Sequence, residues 1–94
     1  MKVRWTCPAQ GDFDRIDSFY AETAPDMADR VGRDAVRAGR FLADYPNAGE
    51  VVEKDVRKWS ISGSPYLLLY RVTDEAVEVL RVRHRREDWR TPFE

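Results

Sequence analysis

The sequence predicts an α+β fold: an N-terminal strand, an antiparallel helix hairpin, then a three-stranded antiparallel meander, with the helices packed on one sheet face. Three observations carry this expectation. Apolar residues recur at helical spacing only between positions 13 and 42, strand-like hydrophobic segments fill positions 56–84, and short turn-forming runs separate those segments. Turns this short join antiparallel neighbours. Helices grouped ahead of the later strands, rather than alternating with them, place the pair on one side of a sheet.

Each element has its own local reason. KVRWT (2–6) alternates and carries Val and Trp, so it reads as a short strand that breaks at Pro8. From Gly11 the pattern changes, and Phe13, Ile16, Phe19 and Tyr20 share one face of a first helix. Pro25 suits the opening turn of a second helix, where its missing N–H would be unbonded anyway. Met27, Val31, Ala35, Ala38 and Leu42 form the stripe of that helix, with Phe41 beside it, and DYPNAG (44–49) ends it. VRKWSIS (56–62), YLLLYRVT (66–73) and AVEVLRVRH (76–84) make the meander, turning at Gly63–Ser64–Pro65 and at Asp74–Glu75. The 94 residues suffice for one domain over 1–94, without repeats or linkers.

Composition narrows the class. Hydrophobic residues are 43% and charged residues 35%, which is globular with a charge-rich surface. No apolar run reaches the ~20 residues needed to span a bilayer, so no membrane partner is expected. A single cysteine fits a reducing cytoplasm. The net charge of −1 hides a split. Residues 1–56 carry eight basic against eleven acidic groups, and residues 57–93 carry eight against five. That describes a two-sided molecule more than a general polyanion binder.

Period two sorts the last strands into faces. Tyr66, Leu68, Tyr70, Val72, Leu80, Val82 and His84 are expected to meet the helices. Leu67, Leu69, Arg71, Val77, Val79, Arg81, Arg83 and Arg85 are then expected on the uncovered face. On that strand Arg81, Arg83 and Arg85 would project about 7 Å apart, as a grip for carboxylate or phosphate or as a solvated row. The apolar residues beside them favour a covered surface. His84 reads as a structural histidine more readily than a general acid or base, because no second histidine or thiol partner accompanies it. Cys7 reads as a small buried hydrophobe, and Trp5, Trp59 and Trp89 as core and rim. No Gly-rich phosphate loop, Cys-x-x-Cys or His-Glu-x-x-His occurs, so neither cofactor nor metal is expected.

Strand 1 with Trp5, the Pro25 hairpin, PNAG (46–49), Arg57, YLLLYRV (66–72) and LRVRHRREDW (80–89) together resemble the ParE/RelE superfamily of type II toxin–antitoxin toxins over nearly the whole chain. The resemblance implies one of two activities. RelE-like members cut mRNA in the ribosomal A site with basic residues on the sheet face and an aromatic near the C-terminus. ParE-like members bind DNA gyrase and trap it on cleaved DNA. Members of both branches are neutralised by an antitoxin whose C-terminal segment wraps the toxin.

Matching residues favours the ParE-like branch. RelE itself has arginine after the tyrosine that opens the third strand, where this chain has Leu67. Its two second-strand lysines align with Lys58 and with Ser60, which is not basic. Its last-strand arginine aligns with Arg85, and its terminal tyrosine has no counterpart in RTPFE (90–94). A catalytic set of Lys58, Arg83, His84 and Arg85 is the alternative, with the ribosome as partner. The main expectation is a gyrase inhibitor bound by a ParD-like, ribbon-helix-helix antitoxin through Leu67, Leu69, Arg71, Val77, Val79, Arg81, Arg83 and Arg85. For gyrase contact the hairpin carboxylates Asp26, Asp29 and Asp34 are the weakest kind of candidate. Arg83→Glu with Leu69→Asp is expected to weaken antitoxin binding in a folded monomer.

Overall fold

A computed structural model describes residues 1–90. Chain order is β1 (Lys2–Trp5), α1 (Cys7–Tyr20), α2 (Pro25–Asp44), β2 (Glu50–Glu53), β3 (Val56–Ser60), β4 (Tyr66–Val72) and β5 (Ala76–His84). The strands form one sheet in the order β1-β5-β4-β3-β2. β1 runs parallel to β5 and every other pair is antiparallel. The α+β architecture expected from the sequence is present, and β2 extends the meander to four strands.

α1 starts at Cys7, four residues before the expected point. Pro8 sits in the first turn, where a missing N–H costs nothing. Thr6 is the N-cap: its hydroxyl accepts the Ala9 N–H at 3.4 Å and donates to the Val79 carbonyl at 2.8 Å. The helix entrance is thereby tied to β5. Cys7 is consequently exposed on that first turn instead of buried. Phe19, expected in the apolar stripe, is 73% exposed. On α2 the stripe Val31, Ala35, Ala38 and Leu42 is buried as expected, joined by Ala28, while Met27 at its start is only half-buried.

The helices cover one sheet face through Ala9, Ile16, Val31, Ala35, Ala38 and Leu42. From the sheet they meet Leu68, Tyr70, Val77, Val79 and Val82. This corrects the expected faces of β5. The ladder pairs Leu69 with Arg81 and then Tyr70 with Val79, so Leu80 is an extra, bulged residue. A bulge shifts the alternation by one. Val77 and Val79 therefore lie under the helices before it, and Val82 and His84 after it. Leu80 moves to the opposite face with Leu67 and Leu69.

The PNAG bend is held by Tyr70. Its hydroxyl donates to the Pro46 carbonyl at 2.8 Å and accepts the Gly49 N–H at 2.9 Å. Arg57 adds a bond to the Gly49 carbonyl at 2.7 Å. A Cβ on Gly49 would stand 2.6 Å from the Lys58 carbonyl and 2.7 Å from the Tyr70 hydroxyl, so only glycine fits. Tyr70→Phe strands a buried donor and acceptor together, and a loss of about 1–3 kcal/mol is expected. Urea denaturation measures it; an unchanged midpoint would show the bend is held without this hydroxyl.

Candidate functional site: the uncovered sheet face

The face away from the helices is built from alternate residues of all five strands. Its apolar centre is Val56, Leu67 and Leu69, against which Val52, Leu80 and Trp89 pack. Trp89 gets there because the chain turns sharply after β5. Glu87 accepts the His84 N–H at 2.7 Å, the Glu87 N–H donates to the His84 carbonyl at 3.1 Å, and the Trp89 N–H donates to the Glu87 carbonyl at 2.8 Å. The indole packs against this cluster, in which Leu67 and Leu69 are 2% and 0% exposed, and Lys58 Nζ lies 4.7 Å from its centroid. Leu67 and Leu69 are therefore packed beneath other side chains. Leu69→Asp would break this cluster and is no clean probe of docking.

Charge is arranged around that centre. Glu78 receives hydrogen bonds from Arg71 and from Arg4, each at 2.9 Å, making a three-strand row. The Arg71 bond, aided by Arg4 and opposed by slight desolvation, holds the Glu78 carboxyl below its ordinary pKa. Lys58 pairs with Glu50 at 3.4 Å, and Arg83 with Glu87 at 3.8 Å. Between Arg71 and the β2–β3 turn lies a hollow of about 400 Å³ lined also by Val56, Leu80, Thr6 and Pro8. Glu53, Lys54 and Asp55 of that turn complete a mixed lining, so the hollow suits an aliphatic residue against Val56 and Leu80 with polar groups around it.

The expected arginine row is dispersed. Arg81 turns over the sheet edge to Asp12 of α1, with bonds of 2.8 and 2.7 Å, while the same carboxylate accepts the Val82 N–H at 2.8 Å and pairs with Arg15. β1 ends at Trp5, so Asp12 takes the place of a strand partner along β5. Arg83 stays on the uncovered face but is buried, and Arg85 is exposed beyond the strand. Of the antitoxin-contact residues expected from sequence, Leu67, Leu69, Arg71 and Arg83 share the face. Val77 and Val79 lie in the core under the helices, and Arg81 is engaged at the α1 edge.

The alternative catalytic set does not converge. Lys58 and Arg83 occupy the uncovered face, while His84 lies on the helix side with its ring 5.2 Å from that of Tyr66. His84 Nδ1 accepts the Arg86 N–H at 3.0 Å, a structural use. Among the described residues no group of acidic, histidine or cysteine side chains could hold a metal. The tail segment 91–94, expected to lack a counterpart of the terminal tyrosine, lies outside the described residues. Sequence reasoning missed Asp12, Leu80 and the covering role of Trp89. Asp12 had a signal, because Ala9, Asp12 and Ile16 share the buried face of α1.

The profile of the family described as the ParE toxin of the type II toxin–antitoxin system parDE matches residues 3–89. The chain belongs to the ParE toxin family. Its relatives within the wider ParE/RelE group carry both names. Toxin RelE2 of Caulobacter vibrioides is 30% identical over 83 residues, 88% of this chain and 93% of that protein. Toxin ParE2 of Mycobacterium tuberculosis is 38% identical over 74 residues, 76% of this chain and 69% of that protein. A solved chromosomal ParDE system from P. aeruginosa superposes with a TM-score of 0.74 at 25% identity, covering 89% of this chain and 95% of the other. The RelBE2 toxin–antitoxin complex of M. tuberculosis gives 0.59 at 26% identity, covering 88% and 95%. This ParE-family chain thus shares its fold with toxins of both names.

Proposed function

We propose that this toxin acts as a single-domain inhibitor of DNA gyrase in the cytoplasm and is neutralised by a cognate antitoxin laid across the uncovered sheet face. The observation that carries the target is the scatter of the alternative catalytic groups. Cleaving RNA requires preorganised donors aimed at one reacting phosphate. Here His84 lies through the sheet from Lys58 and Arg83, and those two cations face Glu50 and Glu87. The same face suits an antitoxin segment: Leu80 and Trp89 supply apolar contact, and Arg71 stands beside the hollow. A ribbon-helix-helix antitoxin is the partner that the ParDE likeness supports.

The test is pulse labelling within minutes of inducing the chain alone, following thymidine and methionine incorporation together. A selective fall in thymidine incorporation is expected, with gyrase-linked DNA breaks. A selective fall in methionine incorporation with codon-phased mRNA cuts would overturn the reading in favour of the RNase alternative, which the relative named Toxin RelE2 supports. His84→Ala and Arg85→Ala are expected to retain growth arrest. Under the RNase alternative each would lose about 10²-fold or more of its activity.

A further inference from the structure

The solvent side of α2 carries a ridge that neither the core nor the sheet face uses. Arg33, Arg37, Phe41 and Tyr45 follow one another at intervals of four, so they line up along the helix. Arg30 and Arg40 flank the row, and all four arginines are exposed. From Arg30 to Arg40 the guanidiniums cover about 15 Å of helix. The row then changes character. Phe41 is 41% exposed and Tyr45 61%, although both are large aromatics. The Phe41 ring stacks on Trp59 of β3, with centroids 5.2 Å apart and planes 18° from parallel, and the Tyr45 ring lies 5.0 Å from Phe41, tilted by 35°. Three rings therefore cluster at the surface from β3 to the end of α2. Beside it is a recess of about 330 Å³, lined by Phe41, Trp59, Ala38 and Ile61 with Arg37, Asp34 and Ser62.

We propose that this ridge is a contact for a single nucleic-acid strand, with bases stacking on the Phe41–Trp59–Tyr45 rings and phosphates meeting Arg33, Arg37 and their flanking arginines. Partly exposed flat rings in sequence with a run of cations combine the two interactions by which single strands are held without base readout. Asp34, 3.6 Å from Arg37, lies partly buried between the two features. The chain's near-neutral total makes this a local auxiliary contact. An acidic protein segment would use the arginines alone, whereas a base can also stack on the exposed part of the rings. Trp59 and Phe41 are also distant in sequence, so their stack is a product of the fold.

The experiment is fluorescence anisotropy of the isolated toxin with a short labelled single-stranded deoxyoligonucleotide, repeated with its duplex and with polyglutamate. Binding to the single strand is expected to be the tightest, weakening with salt at a log–log slope of about −0.7 for each phosphate met. Phe41→Ser should weaken it about tenfold, with Phe41→Tyr near wild type. Arg33→Glu with Arg37→Glu should both weaken binding and flatten the salt dependence. Circular dichroism checks that each variant is folded; Tyr45→Ser, at the exposed end of the cluster, replaces Phe41→Ser if the latter is not. Absence of binding at low salt would overturn the proposal, as would polyglutamate binding as tightly as DNA. So would loss of binding on Arg85→Glu with the ridge variants unaffected. The readout is independent of which target the toxin poisons.

Discussion

Asp12→Ala is expected to lower the stability of the toxin by about 3–5 kcal/mol, the range for removing one partner of a buried charge pair. The carboxylate is fully buried, yet it serves three donors: the Arg81 guanidinium through two bonds, the Val82 N–H and Arg15. Alanine leaves Arg81 with a side chain only 13% exposed and no counter-charge from α1. It also leaves a strand-edge N–H with neither water nor acceptor. In a domain whose total stability is of the order of 5–15 kcal/mol, that is a large fraction. The melting temperature should fall by at least roughly 12 °C. Asp12→Asn should lose less, because the amide oxygen still accepts from Val82. A loss below about 1 kcal/mol for the alanine variant would show that Arg81 and Val82 find other partners.

The same carboxylate sets an acid limit. Burial alone would raise the Asp12 pKa, but the Arg81 hydrogen bond, the Val82 N–H, the Arg81 charge and Arg15 together bring it below 3.8. A depressed carboxylate pKa contributes stability that is complete above the unfolded value and lost as pH falls through the folded one. Stability measured from pH about 5 downward should therefore fall less steeply in Asp12→Asn than in the wild type. Identical acid limbs would remove Asp12 from this role.

Asp12 also marks where the sequence was legible and where it was not. The α2 stripe was readable because it buries a face at a fixed period, and β4 because YLLLY is a continuous apolar run, buried on both faces. β2 escaped notice because EVVE is four residues long and charged at both ends, which suits an edge but gives no hydrophobic run. The start of α1 was hidden by Pro8, which breaks a helix interior but is tolerated in the first turn. The bulge at Leu80 has no local signature at all. It is held from outside the strand, where the Thr6 hydroxyl meets the Val79 and Leu80 carbonyls and Asp12 meets the next N–H but one, that of Val82. Alternation read along β5 therefore remains right on each side of the bulge and wrong across it. That one shift moved Val77 and Val79 off the proposed docking face and put Leu80 on it.

Leu80→Glu is consequently expected to weaken antitoxin binding at least about thirtyfold, roughly 2 kcal/mol, the threshold of an interface anchor. Leu80 is half-buried, touches the Val56–Leu67–Leu69 cluster and lines the hollow beside Arg71. A glutamate there would put a charge in the apolar contact, in a hollow that already holds Glu53 and Asp55, while remaining solvated in the free toxin. The variant should stay folded, since bulged, half-exposed positions tolerate polar side chains better than ladder positions beneath the helices. Val79→Glu supplies the contrast: at 0% exposure in the main core it should unfold the toxin rather than report on docking. Calorimetry with the purified cognate antitoxin, after circular dichroism confirms the fold, separates these outcomes. Unchanged affinity in a folded Leu80→Glu toxin would remove the uncovered sheet face from the antitoxin contact. A selective loss would instead show that the bulge, by turning one leucine outward, supplies the apolar anchor that the arginine row was expected to surround.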